Sequence, residues 1–326
     1  MKKIISLLLV LAMAFCFVAC TNTDNTNDAN SQEEKYTVGI CQLVQHDALD
    51  AATKGFQDAL TEKLGDKVEF DLQNASGETT NCTTIVSKFV SDNVDLIMAN
   101  ATPALTAAAN ATTDIPIVAT SVTDFATALD IEEWTGVTGC NVTGTADLAP
   151  LKEQANMVKE LCPDAKTVGL LYCSAEANSK YQIDIISKEL KDLGYEVKEY
   201  SFVDTNAVTA VTQQAVADCD VLYAPTDNTV ASNAEAINNI VEPANIPLIA
   251  GEEGICKGCG IATLSISYYD LGYKAGEMAY EVMVNGADPA TTEIAYSDNT
   301  TKKYITDRAA ALGVKIPESY EAIVVE

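Results

Sequence analysis

Short apolar segments alternate with longer amphipathic segments along most of this 326-residue chain, and the alternation occurs in two series. The first series contains predicted strands at residues 36–43, 68–73, 94–98 and 115–119, with predicted helices at 47–64, 80–92 and 104–111. An apolar run without a polar face, placed between helices, is typical of a strand in a parallel sheet. The pattern therefore predicts an α/β fold with doubly wound parallel sheets.

A second series begins near Asp147 and repeats this plan. It contains predicted strands at 167–172, 195–202, 220–224, 247–250 and 261–264, and predicted helices at 150–161, 178–193, 207–217 and 228–241. Residues 134–143 are predicted as an edge strand, and a last long helix covers 267–284. We predict two Rossmann-like lobes, one formed by residues 35–146 with 267–326 and the other by 147–266, joined by hinges near 145–147 and 265–267.

The first twenty residues form a separate segment. Lys2 and Lys3 precede an apolar run over 4–18, and a small residue then precedes Cys20, as in a lipoprotein signal peptide. An ordinary signal or an uncleaved membrane anchor is the alternative, although the run is short for a spanning helix. Residues 21–34 are polar with little to bury, which predicts a disordered tether. We therefore expect an extracytoplasmic protein, lipid-anchored through Cys20.

The charge balance excludes one class of partner. Removing Lys2 and Lys3 with the signal leaves a formal charge of 18 − 47 = −29. Such an excess of carboxylates repels nucleic acid and anionic lipid headgroups. We expect no nucleic-acid partner, and membrane contact through the lipid anchor alone.

Eight cysteines remain beyond Cys20, and of these Cys256 and Cys259 have the spacing of a pair. A single such pair without nearby histidines is a weak signal for zinc. A local disulfide and two free thiols both stay open. No metal or other cofactor is predicted.

Polar side chains follow the predicted strands where open α/β sheets place their ligands, at the carboxyl ends. Asp227 and Asn228 offer a carboxylate, an amide and helix N-terminal N–H groups after the strand at 220–224. The candidate ligand-binding residues are His46, Thr102, Ser121, Asn178, Ser179, Asp227, Asn228 and Glu252. Simple helix capping is the alternative interpretation for several of them.

Several motifs in order give a resemblance to a known family. They are Gln42 to His46, Ala101-Thr102-Pro103, Asn141 to Thr145, Glu176 to Ser179, Pro225 to Ser232 and Gly251 to Gly254. With the signal and tether, the chain resembles bacterial ABC-transporter substrate-binding lipoproteins of the tryptophan/tyrosine type. The resemblance implies the periplasmic-binding-protein fold of type I, an aromatic amino acid as ligand, and permease and ATPase partners. Cys173 stands where relatives commonly have a polar residue, so whether it faces the cleft bears on the ligand.

Under this resemblance the candidate residues receive roles. Asp227 would hold the ammonium group of an amino acid through charge-assisted hydrogen bonds. Thr102 and Ser121 would bind the carboxylate, and Asn178 and Ser179 would close over it from the other lobe. Closure would follow because the ligand contacts both lobes.

The expected function is a solute-binding lipoprotein of an ABC importer, acting as a monomer. A surface sensor without transport, or an importer component for a branched amino acid, a nucleoside or another small amphiphile, stays open. An enzyme is not expected. The sequence lacks a Gly-rich phosphate loop, a GxSxG elbow and an HExxH motif, and His46 is its one histidine.

Overall fold

The computed structural model describes residues 35–297 and 299–324. The predicted signal peptide, the lipidation site at Cys20 and the tether lie outside the described residues. Within the described part, two sheets flanked by helices form two lobes, which confirms the predicted α/β architecture.

The first lobe is built on a six-stranded parallel sheet. Its strands are β1 (Tyr36–Gln42), β2 (Val68–Asn74), β3 (Leu96–Asn100), β4 (Ile117–Val122) and β5 (Val142–Ala146), with β11 (Ala295–Tyr296) at one edge in the order β11-β5-β4-β3-β1-β2. Its helices are α1 (Asp47–Leu64), α2 (Thr79–Asp92), α3 (Thr102–Ala111) and α4 (Phe125–Leu129), and a 3-10 turn spans Gly65–Lys67. Strands β1 and β3 are apolar and almost fully buried because helices cover both faces of the sheet.

The second lobe repeats this plan. Its strands are β6 (Thr167–Cys173), β7 (Glu196–Phe202), β8 (Val221–Ala224), β9 (Leu248–Ala250) and β10 (Ala262–Ser265). Its helices are α5 (Leu151–Leu161), α6 (Ala177–Asp192), α7 (Val208–Asp218), α8 (Asn228–Ser232), α9 (Ala234–Ala244) and α10 (Glu253–Cys259), and a 3-10 turn spans Thr205–Ala207. The carboxyl ends of β6, β8 and β9 lie at one edge because these strands are parallel.

The C-terminal segment is divided between the lobes. Helix α11 (Tyr268–Asn285) packs on α1, and β11 pairs with β5, both in the first lobe. Beyond them, β12 (Thr301–Tyr304), α12 (Thr306–Ala311) and β13 (Glu321–Ala322) extend the second sheet, whose order is β13-β12-β10-β9-β8-β6-β7. The prediction that all of 267–326 packs on the first lobe is therefore wrong from Thr301 onward. Strand β12 runs antiparallel to β10 and covers an edge that would otherwise expose unpaired backbone groups.

A close helix contact fixes the start of α11 beside the first sheet. Gly272 lies so near α1 that a Cβ built on it would come within 1.9 Å of the Ala52 carbonyl oxygen. Any larger residue would push the two helices apart. This contact places Tyr268, the first residue of α11, near the boundary between the lobes.

Some local features of the structure differ from the sequence predictions. Residues 134–141 form no strand, because Gly136 and Gly139 turn the chain with φ of 92° and 70° and β5 begins at Val142. The helix predicted at 228–241 is two helices, since the Asn233 amide donates to the Thr229 carbonyl at 2.8 Å and the backbone breaks at Asn233. Helix α10 was not predicted, because Gly254 and Gly258 lower the helix propensity of that segment.

The eight described cysteines are free thiols, including Cys256 and Cys259, which are buried on α10. Among the described residues, no cluster of three or more His, Cys, Asp or Glu side chains is arranged to hold a metal ion. No helix in the described part of the chain has the length and apolarity needed to cross a membrane.

Candidate functional site

The carboxyl ends of strands from both sheets meet at a small cavity between the lobes. Six of the eight predicted residues line it, namely His46, Ser121, Asn178, Asp227, Asn228 and Glu252. The other lining residues are Leu49, Thr123, Asp147, Thr226, Ala231 and Tyr268. The cavity has a volume of about 10 Å³, which is close to what one water molecule needs. An amino acid therefore fits only when the lobes are further apart than in this structure.

Two predicted residues, Thr102 and Ser179, do not line this cavity. Thr102 is the first residue of α3 and is buried, and its Oγ1 has no hydrogen-bond partner. Ser179 lies in the first turn of α6, and its hydroxyl donates to Asp227 Oδ2 at 2.8 Å. Ser179 thus holds a lining residue in place.

The first lobe contributes strained backbone to the site. Ser121 and Ala101 are not glycines, yet they have φ of 56° and 94° at the ends of β4 and β3. The pairing of β4 with β5 is irregular between Ala119 and Val122, which turns the chain at Ser121. Such conformations cost about 1–3 kcal/mol each and are found most often at functional sites.

Gly144 makes this irregular pairing sterically possible. A Cβ built on Gly144 would lie 1.9 Å from the carbonyl oxygen of Ala119, and its φ of 151° disfavours any side chain. The close approach of β5 to β4 sets the position of Ser121. This gives a physical reason for glycine within the motif at 141–145.

Asp227 is fixed by three donors within the second lobe. It caps α8 by accepting the Val230 N–H on Oδ1 at 2.8 Å, while Oδ2 accepts the Cys173 N–H at 2.6 Å as well as the Ser179 hydroxyl. Burial, together with the nearby Glu176 carboxylate, raises the pKa of Asp227 to about 8. Asp227 therefore has the helix-capping role that the sequence offered as an alternative. Together the three hydrogen bonds use most of the acceptor capacity of its side chain.

Glu176 is a site residue that the sequence prediction did not include. Its two oxygens accept hydrogen bonds from the N–H groups and side chains of Asn228 and Thr229, and from the Asn178 amide at 3.1 Å. It thereby ties the start of α6 to the start of α8. Its place in the motif at 176–179 was the signal that could have identified it.

Glu252 caps α10 and also lines the cavity. Its carboxylate accepts the Gly254 N–H at 2.6 Å and the N–H of Ile255. Burial is the main cause that raises the pKa of Glu252 to about 7.

Asp147 and Tyr268 also line the cavity without having been predicted to bind ligand. Asp147 is buried, and it accepts the Thr123 hydroxyl on Oδ1 at 3.0 Å and the Tyr268 hydroxyl on Oδ2 at 2.8 Å. Burial raises the pKa of Asp147. Asp147 lies in the predicted hinge at 145–147 and Tyr268 directly follows the one at 265–267, so their position after β5 and β10 was the available signal.

Several lining atoms have unused hydrogen-bonding capacity. His46 Nδ1, Ser121 Oγ and Asn178 Oδ1 are buried and have no hydrogen-bond partner. Buried polar groups in native proteins are nearly always satisfied, so these atoms are suited to a polar ligand or water. They come from both lobes and face the same small space.

Direct contacts join the lobes at this space and beside it. His46 Nε2 lies 3.3 Å from Asn228 Oδ1, and Lys257 Nζ lies 4.0 Å from Asp47 Oδ2. Burial lowers the pKa of His46, which favours its neutral form. The structure therefore has the lobes in contact, in a closed arrangement.

Cys173 does not line the central cavity. It is buried and borders a separate cavity of about 290 Å³ between the lobes, beside Pro103, Glu176 and Val203. Its thiol donates to the Val203 carbonyl at 3.7 Å, and burial raises its pKa. Cys173 thus lies at a mouth of the cleft, and its backbone N–H donates a hydrogen bond to Asp227.

The family model for ABC transporter substrate binding proteins matches residues 37–325. The chain belongs to this family. Substrate-binding proteins of ABC transporters bind small molecules outside the cytoplasm and work with a membrane transporter.

Individual relatives cover nearly the whole of this substrate-binding protein. A curated tyrosine-binding protein of Clostridioides difficile is 37% identical, over 98% of this chain and 97% of its own length. A solved Streptococcus pneumonia ABC domain in complex with L-Trp is 30% identical with a TM-score of 0.85, covering 89% of this chain and 100% of that one. These matches confirm the predicted family and fold.

A third relative indicates the conformation. A ligand-free, open substrate binding protein of Clostridium difficile with adhesive properties is 37% identical and covers 89% of this chain and 100% of that one. Its TM-score is 0.68, below that of the less identical L-Trp complex. The closed lobes of the present structure agree with the ligand-bound relative better than with the open one.

Proposed function

We propose that this substrate-binding protein captures an aromatic amino acid, tyrosine or tryptophan, between its two lobes and delivers it to an ABC importer. The observation that carries the proposal is the closed cavity, where unpartnered polar atoms and buried carboxyls from both lobes converge. An α-amino acid presents one cation and one anion, and each is costly to desolvate without a partner. The relatives that bind L-Trp or are named for tyrosine support the choice of side chain.

Closure would work as a shift of population. In an open state the lobe contacts at His46 and Asn228 are absent, and a ligand that contacts both lobes stabilises the closed state by its differential affinity. The chain crosses between the lobes after β5, after β10 and between β11 and β12, so three connections take up the motion. The closed form would be the one that the permease recognises.

The remaining parts of the proposal concern the N-terminus and assembly. A lipid on Cys20 would hold a monomer at the outer face of the membrane, and the polar segment 21–34 would act as its tether. The protein would have no catalytic activity of its own, since its buried carboxyls are engaged in fixing loops and binding.

A thermal-shift screen tests the ligand. The full chain is melted with each of the twenty amino acids, with nucleosides and with small sugars. A ligand that binds the folded form alone stabilises it by about 2.7 kcal/mol at a hundredfold excess over its Kd. We expect L-tyrosine or L-tryptophan to give the largest rise in melting temperature. A rise with a nucleoside or sugar alone would contradict the proposal.

A further inference from the structure

The four buried carboxyl groups at the cleft differ in the groups that donate hydrogen bonds to them. Glu176, Asp227 and Glu252 are the N-cap residues of α6, α8 and α10. A helix N-terminus carries a partial positive charge, and its free N–H groups stabilise a carboxylate. Asp147 is also buried, but it follows a strand and caps no helix.

The hydrogen bonds of Asp147 show the same difference. Its two oxygens accept one neutral hydroxyl each, from Thr123 and Tyr268. No salt bridge reaches it from any lysine, arginine or histidine in the described part of the chain. An ionised carboxylate accepts about four hydrogen bonds, so Asp147 has capacity left for a donor. Asp227 accepts three hydrogen bonds and Glu176 accepts five, so both have less capacity left than Asp147. Glu252 also accepts two, but both donors are backbone N–H groups at the start of α10.

A second observation points to a ligand in the same space. Ser121 and Asn178 are only 6% and 5% exposed. Ser121 Oγ and Asn178 Oδ1 nevertheless have no hydrogen-bond partner. Both residues line the cavity with Asp147. The cavity therefore combines an uncompensated carboxyl with polar atoms that lack their hydrogen bonds.

We infer that Asp147, oriented by Thr123 and Tyr268, is the residue that binds the ammonium group of the ligand, and that Asp227 holds the binding loop together. This inference rests on the proposed function and names one contact within it. A primary ammonium brings three donors and the positive charge that this carboxylate lacks. Because Asp147 and Tyr268 lie where the chain crosses between the lobes, the ammonium group would bind at the hinge.

The test compares L-tyrosine with 3-(4-hydroxyphenyl)propanoate, which has the same ring and carboxylate but no ammonium group. Calorimetry on the full chain gives the affinity of the wild type and of Asp147→Asn for both probes. Breaking a buried charge pair costs enough to lower affinity about 30-fold or more. We expect Asp147→Asn to lose this factor for L-tyrosine and to keep its affinity for the propanoate.

Two further variants make the result specific. Asp220→Asn removes the same charge from a carboxylate that accepts the Lys166 and Thr167 N–H groups at the other end of the sheet, and it should leave both affinities unchanged. Asp227→Asn should keep the preference for the ammonium-bearing probe. If Asp227→Asn abolishes that preference and Asp147→Asn keeps it, the inference is overturned.

Failure of the inference and failure of the proposed function give different results. A wild type that binds none of the twenty amino acids refutes both, whereas a wild type that binds L-tyrosine with an equally tight Asp147→Asn refutes the inference alone. Should Asp147→Asn not melt cooperatively, Tyr268→Phe takes its place, since it removes one hydroxyl that orients the carboxylate. It should weaken L-tyrosine binding about 5- to 10-fold without affecting the propanoate, and equal loss for both would overturn the inference.

Discussion

The two sides of the cleft use their polar groups differently. On the first-lobe edge, which we define as Ala101, Ser121 and Asp147, the backbone is strained and polar atoms lack partners or have few. On the second-lobe edge, defined as Glu176, Asp227 and Glu252, each carboxyl is anchored to the N–H groups of a helix start. The three second-lobe carboxyls accept hydrogen bonds from their own loops, whereas Ser121 and Asp147 keep hydrogen-bonding capacity for a ligand.

The physical reason lies in the local structure of each edge. Helices α8 and α10 are short and begin directly after strands, so their N–H groups need acceptors that the loop itself must supply. Strand β4 has irregular backbone at Ser121, which lines the cavity, and β3 is followed by Ala101 with a φ of 94°. The capped loops are held by hydrogen bonds within the second lobe, and the first lobe closes against them.

The largest expected effect is loss of stability on the second-lobe edge. Asp227→Ala would leave the Cys173 and Val230 N–H groups and the Ser179 hydroxyl without their acceptor in a buried place. We expect the free energy of unfolding to fall by about 2–4 kcal/mol, from lost capping and unsatisfied donors. Urea denaturation measures it. Asp204→Ala, which removes a cap on an exposed turn, is the matched control and should change stability by no more than about 0.5 kcal/mol. An equal loss of unfolding free energy in both variants would show that Asp227 is no more important for stability than an exposed cap, which would contradict the prediction.

The second prediction concerns pH. With the pKa of Glu252 raised to about 7 and that of Asp227 to about 8, the native state holds protons that the unfolded chain has already released. The free energy of unfolding should therefore fall as pH rises from about 4 to about 8, with a limit of about 1.4 kcal/mol per pH unit for each group. Water that enters when the lobes open reduces the effect of burial on these pKa values. We therefore expect the free energy of unfolding to fall by about 1–2 kcal/mol in total between pH 5 and pH 8.

Urea denaturation of the ligand-free chain at several pH values checks this dependence. Glu252→Gln should make the curve flatter because a neutral amide replaces the titrating group. Stability that is constant or rises between pH 5 and pH 8 would contradict the prediction.

The smallest expected effect is on the first-lobe edge. Ser121→Ala removes a hydroxyl that has no partner in the closed structure. Stability should stay within about 0.5 kcal/mol of the wild type, while affinity for L-tyrosine should fall about 2- to 10-fold through one lost hydrogen bond. Thr263→Val is the control, because Thr263 Oγ1 is also buried and unpartnered but does not line the cavity. An equal loss of affinity in Thr263→Val would show that unpartnered hydroxyls do not mark the site.

Much of the fold follows from local sequence. Helix α1 begins and ends at the predicted residues, and β1, β2, α5 and β6 match within one residue, because their apolar periodicity is regular. The cleft could be located from the same pattern, since parallel strands bring their carboxyl ends to one edge. Six of the eight predicted residues line the cavity for this reason.

The sequence alone determined that two α/β lobes would place polar loops at a shared cleft, because period and burial are encoded residue by residue along the chain. Tertiary structure decided which polar groups are hydrogen-bonded within the protein and which keep capacity for a ligand. Whether Asp227 binds a ligand or caps α8 depends on where Cys173 and Ser179 lie, and these are about fifty residues away in the chain. The pairing of Asp147 with Tyr268 across 121 residues, and the return of β12 to the second sheet, are likewise contacts between distant segments. No local pattern specifies them, because they depend on how the two lobes and the C-terminal segment pack together.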